Sequence, residues 1–253
     1  MIFLLSPAKT LDFSEASYPE SHTPRHLADT AKLVDLLRPM DAGQLQQLMS
    51  ISEKLAVLNA NRYRDFATPF TADNAKPAVL AFQGDVYRGL RAESFDDNDL
   101  RFADQHIRIL SGLYGMLRPL DLIQPYRLEM GTKLENSKGK NLYDFWGTLL
   151  TDQMNKDLAA TQSNTVVNLA SKEYFKAVQP DKLEGRLLDI DFKEHRDGKH
   201  KIIALFAKQA RGMMCHYAVK HRIAEPEQLK NFDMDGYSYN ETLSSEMHWI
   251  FTR

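Results

Sequence analysis

Three short stretches of this sequence gather side chains able to do chemistry. Ser6-Pro7-Ala8-Lys9 sets a serine three residues before a lysine, the spacing by which serine acyl enzymes activate a nucleophile. Pro7 follows an apolar run instead of a helix start, and no Ser-Asp-Asn or Lys-Thr-Gly partner occurs. An anion contact through the Lys9 charge and the Thr10 hydroxyl, or a plain polar turn, therefore stand beside acyl chemistry. Gly84-Asp85-Val86-Tyr87-Arg88-Gly89 has the two glycines of a phosphate loop, but Leu90-Arg91 stands where Lys-Ser/Thr would reach the terminal phosphates, which removes ATP hydrolysis by that motif. Ser171-Lys172-Glu173-Tyr174 follows the apolar run Thr165 to Ala170, a polar cluster at a strand end of the kind that houses sites in α/β proteins, and equally a capped helix start.

The densest candidate is Arg108 to Gly131, "RILSGLYGMLRPLDLIQPYRLEMG". Leu110-Ser111-Gly112-Leu113-Tyr114-Gly115 bears comparison with the helix-hairpin-helix element of DNA-binding proteins, with the two glycines one residue further apart than usual. In that element backbone N–H groups and nearby cations hold phosphate oxygens without reading bases. Ser111, Tyr114, Arg118 and Arg127 are suited to reach phosphate, and Gly112 and Gly115 to let a backbone approach. Asp121 and Glu129 repel phosphate, and with Asp85, Glu173, Tyr126 and Tyr174 they suit acid–base chemistry on a small substrate instead.

Charge adds a second wall. Net charge is −2 and the pI about 6.5, so the whole molecule lacks the signature of a polyanion binder. From Lys199 to Arg222, however, there are six Lys/Arg and no acid, and Lys208 and Arg211 share one face of a helical wheel. His22/His26 and His195/His200 flank turns instead of forming a metal motif, and the single cysteine, Cys215, excludes an internal disulfide and reads as a small buried apolar residue. No metal or cofactor is expected. No run approaches a membrane span and no secretion signal opens the chain, so a cytoplasmic location is expected.

The elements that must position these groups read as one α/β (mixed α+β) domain over residues 1–253, without repeat or linker. Ile2 to Leu5, Ala78 to Phe82 and Thr165 to Ala170 read as buried strands, and two alternating runs around Asp197-Gly198 as a tight hairpin. Thr23-Pro24, Asp41, Ser52 and Asn141 open helices, and a further helix runs from Lys208 to about Arg222 with Ala210, Met213, Met214 and Tyr217 inward and Gly212 and Cys215 outward. Regular βαβ alternation is absent, so no doubly wound sheet is expected.

In order along the chain, "SPAKTLDF", "AFQGDVYRGL", "LSGLYGMLRPLDLIQPYRLEMG", "LYDFWG", "NLASKEYFKAV" and "FAKQARGMM" together resemble the peroxide stress resistance protein YaaA family. The resemblance implies a bacterial cytosolic protein of the peroxide response that limits iron-driven damage to DNA. It also implies a single compact domain of unusual topology, with a basic cleft and a helix-hairpin-helix-like element that binds DNA. It carries no catalytic residues across. On this reading duplex or distorted DNA is the partner, and its phosphates meet Lys9, Ser111, Gly112, Tyr114, Gly115, Arg118 and Arg127, with Lys208 and Arg211 as the facing wall. The alternative is an enzyme acting on a nucleotide, nucleobase or small phosphorylated substrate in the same cleft.

Overall fold

A computed structural model describes all residues, Met1–Arg253. In chain order the strands are β1 (Ile2–Leu5), β2 (Thr10–Leu11), β3 (Lys76–Pro77), β4 (Phe82–Gln83), β5 (Ile107–Ser111), β6 (Gly115–Leu117), β7 (Leu122–Ile123), β8 (Thr165–Asn168), β9 (Arg186–Arg196), β10 (Lys199–Lys201), β11 (Ser238–Tyr239) and β12 (His248–Thr252). Every residue of β1 is apolar and buried, as an interior strand covered on both faces must be. It pairs in parallel with β5 on one side and β8 on the other, Phe3 lying opposite both Ile107 and Val167. The main sheet runs β11-β12-β9-β8-β1-β5-β6, with β10 hydrogen-bonded to β9. From β12 to β5 all neighbours are parallel, while β6, β10 and β11 are antiparallel additions.

The chain is thus a mixed α/β protein, but its sheet is more regularly parallel than the sequence pattern implies. The alternation is hidden because the connection from Leu5 to Ile107 carries several helices and the short strands β2, β3 and β4, of which β2 pairs with β4 and β3 with the later β7. Ala78 to Phe82 also differs from expectation. Ala78–Ala81 is a helical turn, because the Ala78 and Val79 N–H groups donate to the Asp121 and Pro119 carbonyls, and only Phe82–Gln83 is extended.

Capping signals translate directly. Asp41 accepts from the Gln44 N–H in a reciprocal capping box, and Ser52 and Asn141 accept from Leu55 and Asp144. The first helix, by contrast, begins at Leu27, three residues beyond Pro24. At the sheet edge Asp197 (φ 52°) and Gly198 (φ 69°) both turn left-handed, the geometry of a two-residue hairpin, although the second strand ends after Lys201.

The longest helix, Ala204–Lys220, packs against the short helix Asp85–Leu90, and their crossing corrects the wheel drawn from sequence. A Cβ on Gly212 would lie 1.8 Å from the Val86 carbonyl oxygen, and one on Gly89 2.0 Å from that of Gln209. The two backbones touch, so Gly212 and Cys215 are buried instead of facing solvent. Burial pushes the Cys215 thiol far above its usual range, consistent with an inert core residue. No helix is long and apolar enough to cross a membrane.

Candidate functional site

The chain leaves β1 to build β5 on one side of it and later returns to build β8 on the other. β1 and β8 therefore meet where the winding reverses, the place at which open α/β sheets leave a crevice beyond their carboxyl ends. A pocket of about 410 Å³ opens there, lined by the segments Ser6–Thr10 and Gln83–Tyr87 and by Leu169, Ser171, Glu173 and Tyr174, with Glu129, Lys208 and Arg211. The size is that of a small-ligand site.

Ser6 lines the pocket. Its Oγ accepts from the Ser171 N–H at 2.8 Å and lies 3.3 Å from the Ser171 hydroxyl, while the Tyr87 hydroxyl donates to the Ser6 carbonyl at 3.0 Å. The two strand ends are clipped together. Lys9 turns away from Ser6, its Nζ lying 2.7 Å from Glu129 Oε2, so the lysine-activated serine of acyl enzymes is not formed.

Charges around the pocket are unequally answered. Glu129 is shared by Lys9 and, at 3.0 Å, by Arg127 Nη2; Asp85 pairs with Arg88 at 2.9 Å. Glu173 Oε1 accepts one backbone N–H, from Gly131 at 2.9 Å, and no cation pairs with it. On the long helix, exposed Lys208 has no carboxylate partner. Arg211 reaches only Asp191, at 3.9 Å, and its buried Nε has no hydrogen-bond acceptor. Burial lowers the Arg211 pKa, with Asp191 acting in the opposite direction. Tyr174 is buried beside Glu173, and burial, then the neighbouring Tyr126 and carboxylates, raise its phenol well above normal, so it stands as a neutral donor.

The polar stretch Arg108 to Gly131 is built otherwise than expected. β5 and β6 form an antiparallel hairpin, Ser111 opposite Gly115, so the glycines lie between strands and not between helices. Ser111, Gly112, Tyr114 and Gly115 are all buried, which corrects their assignment as phosphate contacts on this surface. The Ser111 hydroxyl is 2.7 Å from that of Tyr126, and Tyr114 Oη both donates to the Gln124 carbonyl (3.2 Å) and accepts from its N–H (2.9 Å). A Cβ on Gly112 would lie 2.3 Å from the Leu128 carbonyl oxygen, and one on Gly115 (φ +73°) 2.8 Å from the Trp146 ring. These glycines admit protein, not ligand.

Arg118 is spent in the same way. Its Nε and Nη2 hold Asp121 Oδ1 at 3.0 and 2.7 Å, and its backbone N–H holds Oδ2 at 2.7 Å. It lies outside the pocket lining, and Arg127 stands behind Glu129. Of the nine expected contacts, then, Lys9, Lys208 and Arg211 converge on one pocket. The acid–base set divides likewise: Asp85, Glu129, Glu173 and Tyr174 line it, whereas Asp121 and Tyr126 are buried in the hairpin network. The clip between Ser6 and Ser171 escaped sequence reading, and its signal was two serines each directly following a buried strand segment. A larger hollow of about 720 Å³, lined by Asp12, Glu15, Glu93 and Asp97 with Lys76 and Arg88, adjoins at Gln83 and Tyr87. No group of three or more His, Cys, Asp or Glu side chains converges as a metal site.

A mostly parallel α/β sheet with a mixed-charge pocket at its winding reversal defines an α/β protein with a switch-point site. The family described as peroxide stress protein YaaA matches residues 1–243, and the chain belongs to that family, which gives it a role in peroxide stress. It is 53% identical to a UPF0246 protein of Cellvibrio japonicus, over all of this chain and 98% of that one. It is 51% identical to a UPF0246 protein of Acaryochloris marina over the full length of both. A UPF0246 protein of Neisseria meningitidis serogroup B is also 51% identical, over all of this chain and 98% of the relative.

Proposed function

We propose that this protein serves the peroxide response by acting on a small substrate, a nucleotide, nucleobase or small phosphorylated compound, in the pocket beyond β1 and β8. The observation that carries the reading is the lining itself: Asp85, Glu129 and Glu173 stand beside Lys9, Lys208 and Arg211 around about 410 Å³. Three acids against three bases make a poor seat for a polyanion, and the volume suits one small molecule. Tyr174 and Glu173 are neighbouring candidates for donor and base.

The second reading is DNA binding in the same response, with limitation of iron-driven damage to DNA as its purpose. What favours it is the convergence of Lys9 with Lys208 and Arg211 from segments some two hundred residues apart. On this reading the phosphates meet those cations at the pocket mouth, while Arg118 and Arg127 act only by holding the hairpin.

Titration with short duplex DNA and with mononucleotides across a salt series separates the two. The small-ligand reading expects saturable mononucleotide binding and at most weak duplex binding. A duplex affinity falling with a log-log slope of about −0.9 per phosphate contacted, and abolished by Lys208→Ala with Arg211→Ala, overturns it in favour of DNA.

A further inference from the structure

The pocket's charged groups fall into those already satisfied and those left open, and the open ones describe a ligand. Asp85 is held by Arg88, and Glu129 by both Lys9 and Arg127. Neither carboxylate has its charge to spare. Glu173 is different, because Oε1 takes a single backbone N–H and Oε2 has no partner at all. Among the cations, Lys208 is unpaired and Arg211 has only a 3.9 Å approach to Asp191.

Arg211 lines the pocket without a close carboxylate, and an anion brought to its guanidinium gains charge-assisted hydrogen bonds. Lys208 and Arg211 are three apart on one helix, so a point charge and a planar fork face the same volume. That combination suits a phosphate dianion better than a single carboxylate. Glu173 comes from another segment, after β8, and its free oxygen asks for a hydroxyl or amino donor. Tyr174, Leu169, Val86, Ala8 and Pro7 supply apolar surface between.

Resting on the small-ligand reading above, we propose that the pocket takes a phosphomonoester with a hydroxyl- or amino-bearing body, a sugar phosphate or mononucleotide, its phosphate on Arg211 and Lys208 and its donors on Glu173. Arg211 is the anchor, because its planar fork lines the pocket with only a 3.9 Å approach to a carboxylate. Glu173 selects the body and is indifferent to the phosphate.

Calorimetric titration of the full-length protein at low salt tests the assignment, with inorganic phosphate, ribose 5-phosphate, AMP and ribose as probes. Ribose 5-phosphate or AMP is expected to bind at least about tenfold more tightly than phosphate, and ribose not measurably, since a charged hydrogen-bonded contact is worth about tenfold or more. Arg211→Met is expected to weaken every phosphate-bearing probe by about tenfold or more, and Glu173→Gln to weaken ribose 5-phosphate and AMP while leaving phosphate unchanged. Circular dichroism and thermal melting establish that each variant is folded; should Arg211→Met fail to fold, Lys208→Met, on an exposed side chain, carries the same test. Equal affinity for phosphate and both larger probes, no binding of any phosphate-bearing probe, or an unchanged affinity in a folded Arg211→Met overturns the proposal. Binding of a nucleobase or of ribose without a phosphate preference overturns it while leaving the small-ligand reading intact. Binding of duplex DNA alone overturns both.

Discussion

Two regions of this molecule gather basic and acidic side chains, and they differ in how far their charges are answered. In the β5–β6 hairpin and the residues after it, partners are close in sequence: Arg118 with Asp121, Arg127 with Glu129, Tyr114 with Gln124, Ser111 with Tyr126. In the pocket, groups arrive from distant segments, and Arg211, Lys208 and Glu173 arrive without a close charge partner. Polar density within a short stretch lets the chain satisfy itself, and such a network serves structure. Binding capacity is left where the fold brings together groups whose local partners are missing.

The sharpest break of this comparison comes from the buried pair. Asp121 is fully buried and takes three hydrogen bonds from Arg118; burial alone drives its pKa up, and the Arg118 charge only partly offsets that. Asp121→Ala strands the Arg118 guanidinium and N–H, and is expected to cost about 3 kcal/mol in urea unfolding, at the lower end for a broken buried pair because the Arg118 side chain keeps 25% exposure. Arg211→Ala, with no close ion pair to lose, is expected to cost clearly less than Asp121→Ala. Equal destabilisation by the two would mean that the pocket is as structural as the hairpin.

Next in size is Tyr114→Phe. Its hydroxyl is the sole side-chain partner of both polar groups of the Gln124 backbone, all of them buried. Its removal is expected to cost about 1–3 kcal/mol through the unsatisfied N–H and C=O, with nucleotide and DNA binding unchanged in the folded variant. A loss of binding without loss of stability would return this stretch to the site.

Much of the architecture was legible because it is local. Asp41, Ser52 and Asn141 cap the helices their side chains announce, and Asp197-Gly198 turns as its positive φ preference requires. The parallel order of the sheet was not, since the β1–β5 crossover spans about a hundred residues and obscures any βαβ period. Nor was the crossing of Gly89 and Gly212, which depends on two helices meeting backbone to backbone and has no signature in either segment alone. Gly112 and Gly115 show the same limit from the other side, because a glycine that admits a ligand and one that admits Leu128 or Trp146 look identical in sequence. Lys9, Lys208 and Arg211 were identifiable as cations, but only the fold shows that they share a pocket.

The smallest expected difference between the regions is in their response to acid. Burial first of all lowers the pKa of His26, His106 and His216 below the ordinary 6.5, so each is neutral in the folded protein at a pH where the unfolded chain has begun to bind its proton. The sign follows: the folded state holds fewer protons, so stability is present above 6.5 and declines as pH falls through 6.5 toward the lowered folded values. Asp157, where hydrogen bonds and charge from Arg25 and Arg108 outweigh burial, has a depressed pKa, and its contribution persists until pH falls below the ordinary carboxylate range. A melting temperature that drops by a few degrees between pH 7.5 and 5.5 is therefore expected from the histidines, with His26→Phe, which keeps a ring against Trp146, removing part of the slope. No histidine lines the pocket, so ligand affinity over the same range should follow only the phosphate's own second ionisation near pH ~6. Differential scanning fluorimetry and calorimetric titration over one buffer series measure both. Affinity for a probe without a titrating phosphate that tracked the melting curve would tie pocket and core into a single titrating unit, and would end the separation between the two regions.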